Sequence, residues 1–355
     1  MNKLGKQIFI VAFFVICLIP VIGMFFIQSE STENRMLSEM PQLISEENGA
    51  WNQQFFNELS TYVAEHFTFR AELVEWDGML KYKLFRSPSD EQVIIGADDW
   101  MYFDATLQDY AGVVLAEETI TNIAQRLQEA CTYIESIGAK PLIMLVPNKN
   151  SVYEEYMPSR FGEPAQVTNL SLLQDEMKKQ GIPYVDAKAL LREFKDADEL
   201  YLHQDTHWNN TGARLVLNQI YEQFDVEERH TLGEYVIVES HESDLSQMLF
   251  PASENLESQH IYEQETEYSY IGRMRSIDDL TIRTQSAAGN GQRLFVFRDS
   301  FGRAMIPYMA EIFDTCTFQR ATPYDLGVLE ADEQDYVLIE IVERNIADLE
   351  GIVIP

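Results

Sequence analysis

The hydrophobic positions of the chain change their spacing several times, and each change predicts an element. The first is an unbroken apolar run, Ile8–Ile27, of the length needed to cross a bilayer, roughly 20 residues. Two lysines precede the run and two glutamates follow it, so the positive-inside rule keeps the N-terminus in the cytoplasm and exports the rest. We expect an uncleaved signal anchor over residues 1–28. A cleaved signal peptide is the alternative, although its apolar core would be shorter and would end at small residues.

We predict that residues 29–90 form a lead-in to the main domain. Ser29–Glu47 is polar and acidic, which is typical of a tether. Trp51–Phe85 carries apolar residues at helical spacing, interrupted at His66–Arg70. We therefore predict a tether followed by helices with a break between them.

Beyond residue 91, runs typical of strands alternate with runs typical of helices. Continuous apolar runs predict strands buried on both faces, and helical spacing between them predicts the intervening helices. The predicted strands are 93–96, 100–103, 141–146, 182–185, 199–202, 294–297 and 336–341, and the predicted helices are 117–137, 170–180, 210–224 and 301–313. This alternation predicts an α/β fold over residues 91–355, with a mainly parallel sheet flanked by helices.

Residues 227–290 depart from the alternation. They are polar, acidic and weakly periodic, with some alternation at Tyr235–Val238. We predict an insertion of loops and short strands, and the sequence leaves open whether it shapes the functional site.

The net charge of −32 excludes nucleic acid as a partner and disfavours a polybasic membrane patch. The plain interpretation is a solvated acidic surface. Of the three cysteines, Cys17 lies in the apolar run, and Cys131 and Cys316 lie in a predicted helix and strand. Two buried free thiols are favoured over a disulfide, and no cysteine cluster suited to a metal exists. The sequence implies no cofactor.

Two short motifs hold the parts of a Ser-His-Asp centre, which is recognised by roles and not by order in the chain. Ser300, in Arg298-Asp299-Ser300-Phe301-Gly302, follows a predicted strand and enters a predicted helix. Its hydroxyl would be exposed there, and its backbone N–H could help to bind an oxyanion. The alternative is an ordinary N-cap serine, which is common at such a position.

The other motif, Asp205-Thr206-His207-Trp208, supplies a general base and an acid to orient it. In an extended segment, residues two apart point the same way, so Asp205 and His207 could face one pocket. A structural helix start is one alternative. A metal site made by His203, Asp205 and His207 is another, although no fourth ligand is apparent.

Four further residues are candidates for oxyanion or substrate binding. Asn148 follows a predicted strand and could donate its amide to an oxyanion. Lys149 and Arg298 could contact an acidic substrate, and Trp208 could stack on a sugar ring or fill the core. Asp299 competes with Asp205 as the orienting acid, although capping the turn suits it better.

Both motifs, in this order, resemble the DHHW family, whose members are similar to the alginate O-acetyltransferases of the SGNH-hydrolase superfamily. Further segments fit the resemblance: NRMLSEMP at 34–41, HFTFR at 66–70, IIGADDWMYF at 94–103, VPNKNSVYEEYMP at 146–158 and VLIEIVERN at 337–345. Thr206 stands where the family name has histidine, and Arg298 stands where SGNH proteins usually have glycine. Neither departure removes a catalytic group.

The resemblance implies a three-layer SGNH-type fold with Ser300 as nucleophile, His207 as base and Asp205 as its orienter. It implies a membrane-anchored enzyme that moves acetyl groups to, or from, a cell-envelope polysaccharide, served by a multipass membrane partner. An acetylesterase with the same triad remains open, as does an esterase for lipids or thioesters. A non-catalytic scaffold that binds glycan or a membrane partner is the alternative from another class.

Overall fold

The structure, a computed structural model, describes residues 3–24, 38–44, 50–264, 266–331 and 333–355. The chain divides into two compact units. The first comprises Met1–Asp90 and Ser246–Asn255, and the second comprises Glu91–Leu245 and Leu256–Pro355. The end of the predicted anchor and most of the predicted tether lie outside the described residues.

Within its described residues, the first unit contains the helices α1 (Lys3–Gly23), α2 (Phe55–His66) and α3 (Arg70–Phe85), together with residues 246–249 of a later short helix. The predicted break at residues 66–70 is confirmed, because α2 ends and α3 begins there. Within the described residues, no helix combines the length and the apolar character needed to cross a membrane.

The second unit is built on a seven-stranded sheet and two hairpins. The strands are β1 (Val93–Ile95), β2 (Met101–Phe103), β3 (Lys140–Val146), β4 (Tyr184–Val185), β5 (Tyr235–Glu242), β6 (Leu256–Tyr262), β7 (Tyr268–Tyr270), β8 (Thr281–Ser286), β9 (Arg293–Phe297), β10 (Thr315–Gln319) and β11 (Tyr336–Val342). The sheet order is β4-β3-β11-β9-β10-β8-β7, while β1 pairs with β2 and β5 with β6. The first five strands in this order, from β4 to β10, are parallel to one another. Strand β8 pairs antiparallel with β10, and β7 pairs antiparallel with β8.

Helices cover both faces of the sheet. They are α4 (Leu107–Tyr110), α5 (Glu117–Ser136), α6 (Lys149–Val152), α7 (Asn169–Gln180), α8 (Ala187–Phe194), α9 (Asn210–Phe224) and α11 (Ile306–Ile312). A further short helix, α10 (Asp244–Leu249), begins in the second unit and ends in the first. Successive residues of β3 alternate between two cores: Met144 packs with α9 and α11, and Leu145 packs with α5 and α7. This alternation follows from the two-residue repeat of a strand, and the predicted α/β layering is confirmed.

Some predictions of local structure were wrong. Residues 199–202 do not form a strand, because Tyr201 makes only an isolated bridge to Trp208. Residues 301–313 are a 3-10 turn, Phe301–Met305, followed by α11. The expectation of free thiols is confirmed for Cys131 and Cys316, which are buried and unpaired.

Candidate active site

Ser300 stands where β9 has ended and the 3-10 turn begins. Its hydroxyl does not cap that turn; instead, Ser300 Oγ lies 2.8 Å from His207 Nε2. Within the described residues, the Ser300 N–H donates to no protein acceptor. The N-cap interpretation therefore does not describe this serine, and its amide is free to bind an oxyanion.

Asp205 completes a hydrogen-bonded line to the serine. Its Oδ1 lies 2.6 Å from His207 Nδ1, and the same oxygen accepts from the His207 backbone N–H at 2.8 Å. The two side chains meet across a turn and not along an extended strand, so the geometric reason given by the sequence was wrong. The structure nevertheless brings the three predicted residues together.

The electrostatics suit an ionised Asp205. Burial by itself would raise the pKa of this carboxyl, but the imidazoles of His207 and His241 hold the pKa well below its usual range. A carboxylate that accepts hydrogen bonds from two histidines keeps its charge. His207 Nδ1 therefore carries the proton, and Nε2 is left to accept one from Ser300.

Asp299 anchors the serine turn and does not orient His207. Its Oδ1 accepts from Phe301 N and its Oδ2 from Val342 N, both at 2.8 Å. Its own N–H donates to Glu340 at 3.0 Å. Burial and the Asp299 carboxylate raise the pKa of Glu340 well above its usual range, which keeps Glu340 protonated.

Trp208 joins the two motifs. It is buried, and its Nε1 donates to the Phe301 carbonyl at 3.0 Å. The rings of the two residues meet edge to face at 5.6 Å. Trp208 therefore fixes the distance between the histidine loop and the serine turn, although part of it also lines the site cavity.

Lys149 holds the histidine loop from behind, which corrects the prediction that it contacts substrate. It is 4% exposed, and its ammonium donates to the carbonyls of Leu202 at 2.9 Å, His203 at 2.8 Å and Asp205 at 2.6 Å. Burial lowers the pKa of Lys149 to about 8. The lysine is a structural support of the loop that carries Asp205.

Asn148 is also turned away from the site. It is fully buried, its Nδ2 donates to Asp109 Oδ2 at 3.0 Å, and its N–H donates to Glu343 at 2.9 Å. It does not line the cavity at Ser300. The predicted role of Asn148 as an oxyanion donor therefore does not fit its position.

Asp109 should make the stability of the protein depend on pH. Burial raises its pKa to about 6 from 3.8. The folded state thus binds the Asp109 proton more tightly than the unfolded state does. The protonated carboxyl contributes its full share to the free energy of unfolding below pH 3.8, and this share of about 3 kcal/mol is lost as the pH rises through about 6. We expect Asp109→Asn to flatten the decline in unfolding free energy between pH 4 and 7. Urea unfolding across this range measures it.

The matched control is Asp196→Asn, at an exposed aspartate, which should leave the slope as it is in the wild type. An unchanged slope in Asp109→Asn would contradict the assignment.

Arg298 points away from the cavity as well. It is fully buried, and its guanidinium donates to the carbonyls of Ile277 at 2.7 Å and Asp299 at 3.2 Å. Burial lowers the pKa of Arg298. The predicted contact with an acidic substrate is replaced by a structural one, which ties the serine turn to the segment before β8.

The strands β5 and β6 and the start of the connection between them supply residues that the sequence did not reveal. His241 Nε2 lies 3.0 Å from Asp205 Oδ2, and Asp244 accepts from Thr206 N at 2.8 Å and from Thr206 Oγ1 at 2.6 Å. Glu257 accepts from the N–H groups of His203 and Gln204. No periodicity or motif marks these residues, since they lie in the acidic region that reads as an insertion. That region therefore helps to build the site.

The predicted metal alternative is not formed. His203 Nε2 lies 3.1 Å from Glu199, and its ring stacks on Trp100. Asp205, His207 and Asp244 do approach one another closely enough to hold an ion. The hydrogen bonds already described account for the ligand atoms that these three residues would offer.

A cavity of about 280 Å³ opens beside Ser300 and His207. Its other lining residues are a mixture of aromatic, polar, cationic and aliphatic side chains: Trp208, Asn210, His241, Gln259, Tyr268, Tyr270, Ile277, Phe301, Arg303, Ala304 and Pro307. Gln259 Oε1 accepts from the N–H groups of Asn210 and His260, both at 3.0 Å. The Gln259 amide is thereby held in one orientation, with its NH₂ group left to donate elsewhere.

The family described as SGNH hydrolase-like domain, acetyltransferase AlgX, matches residues 93–281 of the chain, more than half of its length. The chain belongs to this family. The matched range contains the Asp205–His207 loop and ends before Ser300. The resemblance drawn from the motifs is confirmed.

Relatives and solved structures agree with the family. The probable alginate O-acetylase AlgJ of Pseudomonas syringae pathovar tomato is 24% identical over 173 residues, 49% of this chain and 42% of the relative. The match thus spans less than half of that relative's length. A DHHW family protein from Eubacterium siraeum superposes with a TM-score of 0.52 at 15% identity, covering 66% of this chain and 90% of that protein. Bacillus cereus PatB1 superposes with a TM-score of 0.51 at 14% identity, covering 72% of this chain and 96% of that protein. These two structures share the fold of the chain, and the family match describes that fold as SGNH hydrolase-like.

Proposed function

We propose that the chain is a serine O-acetyltransferase that transfers acetyl groups to hydroxyls of a cell-envelope polysaccharide. The observation that carries the proposal is the continuous line from Asp205 through His207 to Ser300, at 2.6 and 2.8 Å. The chain belongs to a family whose description names an acetyltransferase, and this membership supports acyl transfer. The AlgJ relatives, named as alginate O-acetylases, support a glycan acceptor.

The proposed reaction has two halves. Ser300 Oγ attacks the acetyl carbonyl of the donor while His207 Nε2 takes the hydroxyl proton, and the Ser300 N–H faces the oxyanion. The donor leaves with that proton, and an acetyl-serine remains. His207 then takes the proton of an acceptor hydroxyl, which attacks the acetyl group, and Ser300 regains its proton.

The cavity favours a neutral, hydroxyl-rich acceptor. Aromatic side chains and the amide of Gln259 line it; aromatic faces stack on sugar rings, and amides pair with hydroxyls. Its cation Arg303 already pairs with Asp278 at 2.8 Å. A net charge of −32 repels a strongly anionic polymer at long range.

The test uses the purified full-length chain, 4-nitrophenyl acetate as donor and chitooligosaccharides as acceptors. Mass spectrometry should find acetylated sugar and an acetyl group on Ser300. Free acetate alone, with the same acetyl-serine, would instead identify an acetylesterase. The absence of both turnover and acetyl-serine would overturn the enzymatic proposal in favour of a scaffold.

We also infer, from the sequence alone, that the apolar run Ile8–Ile27 anchors the chain and that the main domain is extracytoplasmic. A multipass membrane partner would then deliver the acetyl groups, as the resemblance implies. Protease added outside intact cells should digest the main domain, and carbonate washing should leave the chain with the membranes. Full protection from the protease would contradict this localisation.

A further inference from the structure

Asp205 is shared by two histidines. Its Oδ1 accepts from His207, and its Oδ2 accepts from His241 Nε2 at 3.0 Å and from the Asp244 N–H at 2.9 Å. The residue is only 2% exposed. The donors on Oδ2 therefore decide how the carboxylate is rotated and where Oδ1 points.

A local irregularity in the hairpin aims His241 at this oxygen. In β5, Glu239 pairs with Ser258 and His241 pairs with Glu257, so Ser240 is an extra residue in the ladder. A bulge of this kind shifts the following side chains relative to the alternation of the strand, and bulges occur often beside active sites. The His241 ring consequently lines the same cavity as Ser300.

The charges around His241 favour its hydrogen bond to Asp205. Burial alone would lower the pKa of His241, but Asp205, with Glu257 beyond it, raises that pKa, while Arg303 opposes them. Asp244, whose pKa is itself raised by burial and by Asp205, contributes its N–H to the same oxygen. In either protonation state, an Nε2–H can donate to Asp205.

We propose that His241 is a positioning residue of the acyl-transfer centre, which holds the Asp205 carboxylate so that Oδ1 faces His207. This inference rests on the proposed function. It assigns to the acidic insertion a direct effect on the reactivity of Ser300, transmitted through Asp205 and His207.

The test compares His241→Ala, His241→Asn and His241→Gln in the full-length chain. The amide nitrogen of glutamine reaches about as far as histidine Nε2, whereas that of asparagine falls short. The readout is the rate at which an aryl sulfonyl fluoride labels Ser300. We expect a loss of about tenfold in the alanine and asparagine variants, the size typical of a hydrogen bond to a charged group, and recovery to within about threefold in the glutamine variant.

A second readout does not need any reaction. The proton on His207 Nδ1 should give a downfield ¹H NMR signal, which should move or broaden in His241→Ala and return in His241→Gln. His260→Gln, the same substitution on the paired strand, should change neither readout, because His260 Nδ1 binds Thr211 and not Asp205.

The outcomes separate the two proposals. Equal labelling in all three His241 variants, together with an unmoved signal, would refute the positioning role while leaving the proposed function standing. If the wild type is not labelled at all, the proposed function fails, and the NMR signal alone then decides whether His241 positions Asp205. Loss of reactivity in His241→Gln as severe as in His241→Ala would also count against the inference.

Discussion

Replacing Ser300 with alanine should reduce acetyl release by about 10³-fold or more, because the substitution removes the nucleophile that His207 activates. His207→Ala should cost about as much, since Ser300 then has no base within reach. When residues act as one unit, the first substitution already removes most of the rate enhancement. The double variant should therefore be little slower than either single variant. Initial rates with 4-nitrophenyl acetate measure all three.

Two controls make this prediction sharp. Ser136→Ala, at an exposed serine in the last turn of α5, should leave the rate unchanged. Thermal unfolding of each variant should show that the fold is retained. A rate in Ser300→Ala within a factor of about three of the wild type would mean that the line from Asp205 to Ser300 does not carry the reaction.

The second large effect should come from Lys149→Met, which keeps the length of the side chain and removes its charge. The three carbonyls that Lys149 holds would lose their donor, and the loop that carries Asp205 and His207 would lose its support. We expect the free energy of unfolding to fall by about 3 kcal/mol, since breaking one partner of a buried charged network is strongly destabilising. Urea unfolding at constant pH measures this.

Lys195→Met provides the matched comparison. Lys195 also donates to a carbonyl, that of Val152 at 2.8 Å, but its charged partners are the exposed Glu155 at 2.8 Å and the more distant Glu154 at 3.9 Å. Removing a partly solvated pair of this kind should lower the free energy of unfolding by about 1 kcal/mol or less. If the two variants lost the same stability, the contacts of Lys149 would have no special part in holding the loop.

The sequence predicted the inner strands of the sheet well and its outer part poorly. β3 and β11 are almost wholly buried apolar runs, and such runs are distinctive. β8 buries Ile282, Thr284 and Ser286 on one face only, so its apolar signal is too weak to identify a sheet strand. In the mistaken strand at 199–202, only residues 200–202 are buried, and they make a single bridge without a neighbouring ladder.

The candidate site shows the same division. Ser300, His207 and Asp205 were found because a motif carries them and each has a defined chemical part. The prediction for Lys149 was wrong because the sequence does not show that the short helix α6 directs the lysine side chain inward, toward three backbone carbonyls. His241 could not be found, since the bulge that aims it depends on the pairing of β5 with β6, which the sequence of either strand alone does not specify.

The division of the chain into two units bears on how the protein can be shortened. The backbone passes between the units at three points, after Asp90, after Leu245 and after Asn255. The segment between the last two points packs inside the first unit, where Phe250 meets the ring of Tyr82 at 5.7 Å and Ser253 binds Glu75. A chain that begins at Glu91 would lack the residues against which this segment packs. The same segment lies in the connection between β5 and β6. The lead-in helices therefore supply the packing partners of this segment, and a shortened chain should retain them.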